Sequence, residues 1–509
     1  LALGCGETAQ LTATTTPADV INNAIAWTTS DDAVALVSDG EVTAVGMGTA
    51  TITATTSNGM AASCNVTVNA MEAETFDDFA LAASTIIANS EADKVDVTSE
   101  EAEANEFLSA RLIVRDDGAG IDYASLGAAA VVKGDDGVSV LQFATSEAAE
   151  AACASLSSAE HVSWAEPDRY VFVEEDDAPV MKTSSGSPFF SWGVEQMGAD
   201  KLAASLAPSA DSIFVAIVDT GVADHPMLDG RIASGGYDFV SNDDNPTDEQ
   251  GHGTHVAGTV VDCTPDLDAM ILPVRVLNAK GRGTSSQIAL GIRYAVEHRA
   301  SVINLSLGGC ESSYLHEAVM DAVEQGVVVV AAAGNEEDDT ADYCPAHVEE
   351  AIVVSAINED GCRASFSNYG SSVDVAAPGV QIESCIPGGE YQIKNGTSMA
   401  APHVSAAAAM LKLKYPSYTP AQIEQALKWC AVDLGAEGRD DEYGYGLPDL
   451  SKFVDAEPSI EPTGVSLSRE SAELEVGQSL VLPVTVEPAD ADDASVEWAT
   501  SDPSVATVS

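Results

Sequence analysis

The sequence predicts a multidomain chain. An α/β core built on a parallel sheet flanked by helices follows a small α+β domain, with β-sandwich modules at both ends. Three observations carry this. The 509 residues exceed what one hydrophobic core usually holds. Apolar runs such as Val215-Ala-Ile-Val218 and Val327-Val-Val-Val330 end in turns, as buried parallel strands do. A gapless repeat links the two ends of the chain: Pro17-Ala-Asp19 precedes Trp27-Thr-Thr-Ser-Asp31, and Pro488-Ala-Asp490 precedes Trp498-Ala-Thr-Ser-Asp502 at the same spacing.

Residues 1–70 alternate Thr and Val in short runs with an Asp39-Gly40 turn, which reads as an antiparallel sandwich. With its repeat in 456–509, which stops at Ser509, it resembles the bacterial immunoglobulin-like group 2 domain, the second copy truncated and the chain a piece of a longer polypeptide. Residues 71–104 are acidic and read as a linker with one helix near Phe76 to Ile87. Residues 105–178 form the α+β unit: a strand at Arg111-Leu-Ile-Val114, a hairpin around Asp135-Asp-Gly137, a helix from Ser146 to Leu156 capped by Ser146, and a closing stretch from Val162 to Val173. Residues 179–190 are a Ser/Gly-rich processing linker.

The core, residues 191–455, carries the chemistry. Asp219 ends an apolar strand, His252 sits between glycines in Gly251-His-Gly-Thr-His255, and Ser398 opens an alanine-rich run in Asn395-Gly-Thr-Ser-Met-Ala-Ala-Pro-His403. A serine at a helix N-terminus lies beside backbone N–H groups and the positive dipole end, where an oxyanion is favoured. It becomes a nucleophile only with a base in reach. The order Asp, His, Ser resembles the subtilisin family of serine proteases. Two further blocks extend the resemblance, Ala331-Ala-Ala-Gly-Asn335 and Ile303-Asn-Leu-Ser-Leu-Gly-Gly309.

The resemblance implies that Ser398 is the nucleophile, His252 the general base and Asp219 its orienting partner. It implies Asn335 as an oxyanion-hole donor, and Gly281, Gly283, Ser306, Leu307, Gly308 and Gly334 as substrate-binding residues. His255 and His403 read as packed helix histidines. The acidic run Glu336 to Asp342 flanks the specificity pocket by resemblance; it either favours a basic side chain before the cut bond or is a solvated loop. The α+β unit, ending in Trp164-Ala-Glu-Pro-Asp168, resembles the family's inhibitory propeptide, which would plug the cleft until cleaved in the stretch around Lys182-Thr-Ser-Ser-Gly-Ser187.

No cofactor is implied for catalysis and no metal ligand set is assigned. His225-Pro226 is followed by Met227, and the stretch from Ala257 to Met270 is short, so the family's strong calcium site is expected to be absent. The many carboxylates leave room for a weak one. Lys plus Arg is 21 against 81 Asp plus Glu, a net charge of -60, which excludes nucleic acid as a partner and disfavours anionic lipid. No apolar run of membrane-spanning length is present. Nine cysteines lack zinc spacing; Cys5 with Cys64 could pair across the sandwich, and the resemblance puts Cys310 near Cys344.

The expected function is a secreted bacterial serine endopeptidase, extracellular or attached to the cell surface through parts outside this chain. It would be made as a zymogen, with protein or peptide substrates and its own propeptide as intramolecular inhibitor. The alternative is a cell-surface adhesin-like protein whose protease domain only processes itself; turnover of an added peptide separates the two.

Overall fold

The computed structural model describes residues 1–15, 24–73, 75–88, 109–117, 120–134, 136–173, 181–183, 191–206, 212–458, 464–469, 471–474, 478–487, 495–501 and 505. The amino-terminal module is a β-sandwich. One sheet orders Ala2–Gly4, Ala61–Asn69, Gly48–Thr56 and Ile25–Thr29; the other orders Thr8–Gln10, Glu41–Ala44 and Ala35–Ser38. Gly48–Thr56 buries Ala50, Ile52 and Ala54, the period of two that a half-buried strand requires. Asp39 and Gly40 both have positive φ, the geometry that joins a tight hairpin. Of the second copy, Gly464–Leu467 pairs antiparallel with Val484–Glu487, and residues 488–494 of the repeat lie outside the described residues.

The α+β unit is a sheet ordered Val162–Pro167, Arg111–Asp116, Val138–Gln142, Ala130–Lys133 and Met71–Glu72. Its strands alternate between two cores. Leu112, Val114, Val131 and Leu141 pack under the helix Ser146–Leu156. Ile113, Val132, Val138 and Val140 face the other way, into a core shared with the helix Phe76–Ala88. Part of the expected linker is therefore structured and packed, and residues 89–108 lie outside the described residues. The cap of Ser146–Leu156 is Thr145, one residue earlier than expected, because Thr145 is extended and its hydroxyl accepts the Ala148 N–H at 3.3 Å.

The core domain is a seven-stranded parallel sheet ordered Tyr237–Asp238, Ala269–Arg275, Ile213–Asp219, Val302–Leu305, Val328–Ala332, Ile352–Ile357 and Val373–Pro378. The helices His252–Cys263, Thr397–Lys414 and Pro420–Cys430 cover one face, and Ser285–Glu297 and Ser313–Glu324 the other. Both faces are buried, which explains the unbroken apolar strands. In such a sheet ligands bind beyond the carboxyl ends of the strands. All nine cysteines are free thiols, so neither the Cys5–Cys64 nor the Cys310–Cys344 pairing is formed; Cys310 stands opposite Tyr343 and Cys344 opposite Gly309.

Candidate active site

Asp219 is the last residue of its strand, and its carboxylate is wholly buried. It accepts the Thr220 N–H at 2.6 Å and faces His252 Nδ1 at 2.9 and 3.0 Å through its two oxygens. This contact fixes the imidazole with Nδ1 as donor and Nε2 turned away. His252 opens its helix, and the turn before it is tied by Asp248, whose carboxylate accepts from the N–H groups of Gln250, Gly251 and Thr254. Gly253 has to be glycine: a Cβ there would fall 2.2 Å from the Gly221 carbonyl and 3.0 Å from Asp219 Oδ1.

Ser398 lies in the first turn of Thr397–Lys414, a helix buried over most of its length. Pro402 lies inside that helix and has no N–H, so the Ser398 carbonyl lacks its intrahelical donor. The Ser306 hydroxyl takes that place, donating to the Ser398 carbonyl at 2.9 Å. Asn304 and Ser405 extend the link: Asn304 Nδ2 donates to Ser306 Oγ and Ser405 Oγ donates to Asn304 Oδ1, each at 2.8 Å. In return the Ser398 hydroxyl donates to the Ser306 carbonyl at 3.1 Å. That hydroxyl has one proton, so it must turn away from Ser306 to donate to His252.

Asn335 follows the strand Val328–Ala332. Its Oδ1 accepts from both the N–H and the hydroxyl of Thr397 at 3.0 Å. This clamp fixes which way the amide faces. Its Nδ2 is buried without a partner among the described residues, and so is His252 Nε2. Two buried, unpaired nitrogens in one site are costly unless something else is to meet them. Gly334 has φ +103 and donates its N–H to Thr397 Oγ1 at 3.1 Å; a Cβ on it would strike the Asn368 amide at 2.2 Å.

The remaining residues named from the sequence line a groove that is filled. The strand Tyr170–Val173 lies antiparallel between Arg282–Thr284 and Leu307–Cys310. Val171 stands opposite Gly283 and Gly309, Phe172 opposite Arg282 and Gly308, and Val173 opposite Leu307. The Val173 N–H reaches the Gly281 carbonyl at 2.9 Å. Sequence reasoning missed Thr284 here, and Thr397 as the clamp on Asn335. It also missed that Trp164-Ala-Glu-Pro-Asp168 aims two carboxylates at helix starts. Glu166 accepts from Ser312 Oγ, Ser313 N and Tyr314 N at the head of Ser313–Glu324. Asp168 accepts from Ser285 Oγ, Ser286 N and Ser286 Oγ at the head of Ser285–Glu297, and pairs with the fully buried Arg111 at 2.8 Å. A carboxylate is favoured at a helix N-terminus, but the partner helices lie more than a hundred residues away, so no local signal reveals the pairing.

In the acidic loop, the Glu336 carboxylate accepts from the Asn335 N–H at 3.0 Å and from Asn368 Nδ2 at 2.7 Å, so it is engaged in holding the loop. His255 Nε2 lies 3.1 Å from the Ile382 carbonyl and 3.0 Å from that of Gln392. His403 donates Nδ1–H to the Met399 carbonyl at 2.8 Å, and burial pushes it down to about 4. Asp262, at the far end of the His252 helix, accepts the Ser191 N–H at 2.9 Å, and burial pushes it up to about 7.

The chain is similar to known proteins over its core and its sandwich modules. Residues 210–446 match the model of the Subtilase family, and residues 1–66 and 462–509 match the Bacterial Ig-like domain (group 2). The chain is 39% identical over 298 residues to an alkaline protease of Alkalihalobacillus alcalophilus, covering 57% of this chain and 76% of that one. It is 41% identical over 264 residues to subtilisin BL of Lederbergia lenta, covering 50% of this chain and 95% of that one. A solved cold adapted subtilisin-like serine proteinase is 34% identical, covering 51% of this chain and 97% of that one, with a TM-score of 0.45.

Proposed function

The chain belongs to the subtilase family and is a serine endopeptidase, and we propose that it acts through Asp219, His252 and Ser398, is made as a self-processing zymogen, and is secreted by a bacterium. In this reading Ser398 Oγ attacks the scissile carbonyl while His252 Nε2 takes its proton. The carbonyl electrons move onto oxygen, where Asn335 Nδ2 and the Ser398 backbone N–H stabilise them. Collapse breaks the C–N bond, and His252 returns the proton to the leaving amine. Water then repeats the sequence on the acyl-enzyme. Asp219 holds Nδ1–H throughout. Catalysis needs no cofactor.

One observation carries the zymogen reading: Tyr170–Val173 occupies the groove as a middle strand, pairing through the main chain with both edges. A peptide substrate would bind by the same strand addition. The α+β unit is thus bound as a substrate would be, and the Glu166 and Asp168 carboxylates at two helix heads hold it there. Protein or peptide chains are the substrates, and residues 105–178 are the intramolecular inhibitor of residues 191–455. Secretion is supported by the sandwich modules and by the net charge of -60, which suits a salty medium where self-repulsion is screened. No helix among the described residues is long and apolar enough to cross a membrane.

The test is turnover of an added chromogenic peptide. Wild type should cleave it once processed, and Ser398→Ala, His252→Ala and Asp219→Asn should each lose the activity by orders of magnitude. Undiminished turnover in Ser398→Ala would remove the basis of the reading.

A further inference from the structure

We propose that the inhibitor is larger than the α+β sheet: the amino-terminal sandwich and the helix Phe76–Ala88 belong to it, and it grips the catalytic domain through a second surface outside the cleft. This rests on the zymogen reading above. Its consequence is that the sandwich leaves with the inhibitor, and the mature enzyme lacks it.

The larger body begins at the sheet edge. Met71 and Glu72 pair in parallel with Val132 and Lys133, and the Ala73 N–H reaches the Lys133 carbonyl at 2.9 Å. The chain then turns into the helix Phe76–Ala88, which buries Phe79, Ala82, Ala83 and Ile86 at the helical spacing while Leu81 faces out. The helix thus closes the sheet face that Ser146–Leu156 leaves open.

The sandwich is seated on the same helix. Gly6 has φ +84, and a Cβ there would lie 2.4 Å from Ala82 Cα. That approach is closer than any side chain permits, so the glycine is what lets the two bodies meet. The Met47 N–H also reaches the Ala129 carbonyl at 2.5 Å, which ties the sandwich to the sheet.

The other side of the helix reaches the catalytic domain. Asn242 Nδ2 donates to Thr85 Oγ1 at 2.9 Å. The Arg293 guanidinium lies 5.0 Å over the Phe76 ring and also pairs with Asp136 of the sheet hairpin. One apolar core runs from the sandwich through this helix to the helix Ser285–Glu297 of the catalytic domain. Once the chain is cut, the four-residue strand in the groove loses its covalent tether. Contacts of the same rigid body elsewhere then raise its effective concentration at the groove and slow its escape.

The test uses the full chain carrying Ser398→Ala, so that it needs no activity. Hydrogen exchange is read at the amides of Tyr170–Val173, with Arg111–Asp116 as the control for an intact sheet. Thr85→Arg, which forces the helix off Asn242, and Gly6→Val, which forces the sandwich off the helix, should each speed exchange at Tyr170–Val173 fivefold or more and leave Arg111–Asp116 protected. Asn242→Ala, outside the inhibitor altogether, should act in the same direction. Unchanged exchange at Tyr170–Val173 in all three would overturn the proposal while leaving the protease reading intact. So would an active chain whose cut amino-terminal fragment stays bound as long in Thr85→Arg as in wild type.

Discussion

Replacing Asp262 by Asn should stabilise the catalytic domain in alkaline solution and leave it nearly unchanged in acid. Asp262 lies in the last turn of the helix that begins with His252 and is 8% exposed. It receives the Ser191 N–H where the catalytic domain begins. Burial disfavours its charged form and pushes it up to about 7 from an ordinary 3.8, so between those values the folded protein holds a proton that the unfolded chain has released. Stability from this group is therefore greatest in acid and is lost as pH rises through that window. About three pKa units at about 1.4 kcal/mol each make a loss on the order of 4 kcal/mol by pH 8. Asn keeps the acceptor for Ser191 and has no charge to desolvate. The measurement is the urea midpoint of the catalytic domain's transition between pH 4 and 8, with Ser398→Ala in both proteins to prevent self-digestion. The advantage of Asp262→Asn over its parent should grow across that range by about 4 kcal/mol. A difference that stays level, or shrinks as pH rises, would refute the reasoning.

Other outcomes follow from the same geometry. His403 is held near 4, below the ordinary 6.5, so its contribution is present above 6.5 and lost as pH falls toward 4; His403→Gln should remove up to about 3 kcal/mol of that acid sensitivity, read from the same urea series. Asn335→Leu should lower kcat about 100-fold or more with little change in KM, the size of effect known for this donor in subtilisin itself, and a loss carried by KM alone would contradict the role. Glu166→Gln removes a charge from the head of Ser313–Glu324, costing about 1 kcal/mol, so the processed amino-terminal fragment should dissociate about fivefold faster in a time course of peptide turnover. Val173 stands opposite Leu307, and Ser306, whose carbonyl receives the Ser398 hydroxyl, is next in line. The first cut is therefore expected at Glu174–Glu175, upstream of the Ser/Gly stretch, and peptide mass mapping would find it.

The groups proposed to react could be singled out because their signals are local in sequence. A carboxylate ending an apolar strand, a histidine between glycines and a serine opening an alanine-rich helix each carry their own context. The sandwich was legible through period-two alternation and the Asp39-Gly40 turn. What stayed hidden depends on contacts far apart in the chain. Tyr170–Val173 reads as one more strand of its own domain, and nothing in four residues says that it pairs with Gly283 and Gly308. The helix Phe76–Ala88 was legible as a helix within a linker, but not that its apolar stripe closes a sheet. Thr397 drew no notice beside Ser398, though it sets the direction of the Asn335 amide. Ser146 and Thr145 are equally good caps by residue type, and only the extended backbone of Thr145 decides between them.

The most direct test of the account is the intact mass of the full chain, expressed as wild type and as Ser398→Ala. Ser398→Ala should stay whole at 52.4 kDa, while wild type should separate into an amino-terminal fragment ending just past Val173 and a carboxy-terminal fragment that carries the site. Two whole chains, or the same cut in both, would contradict it.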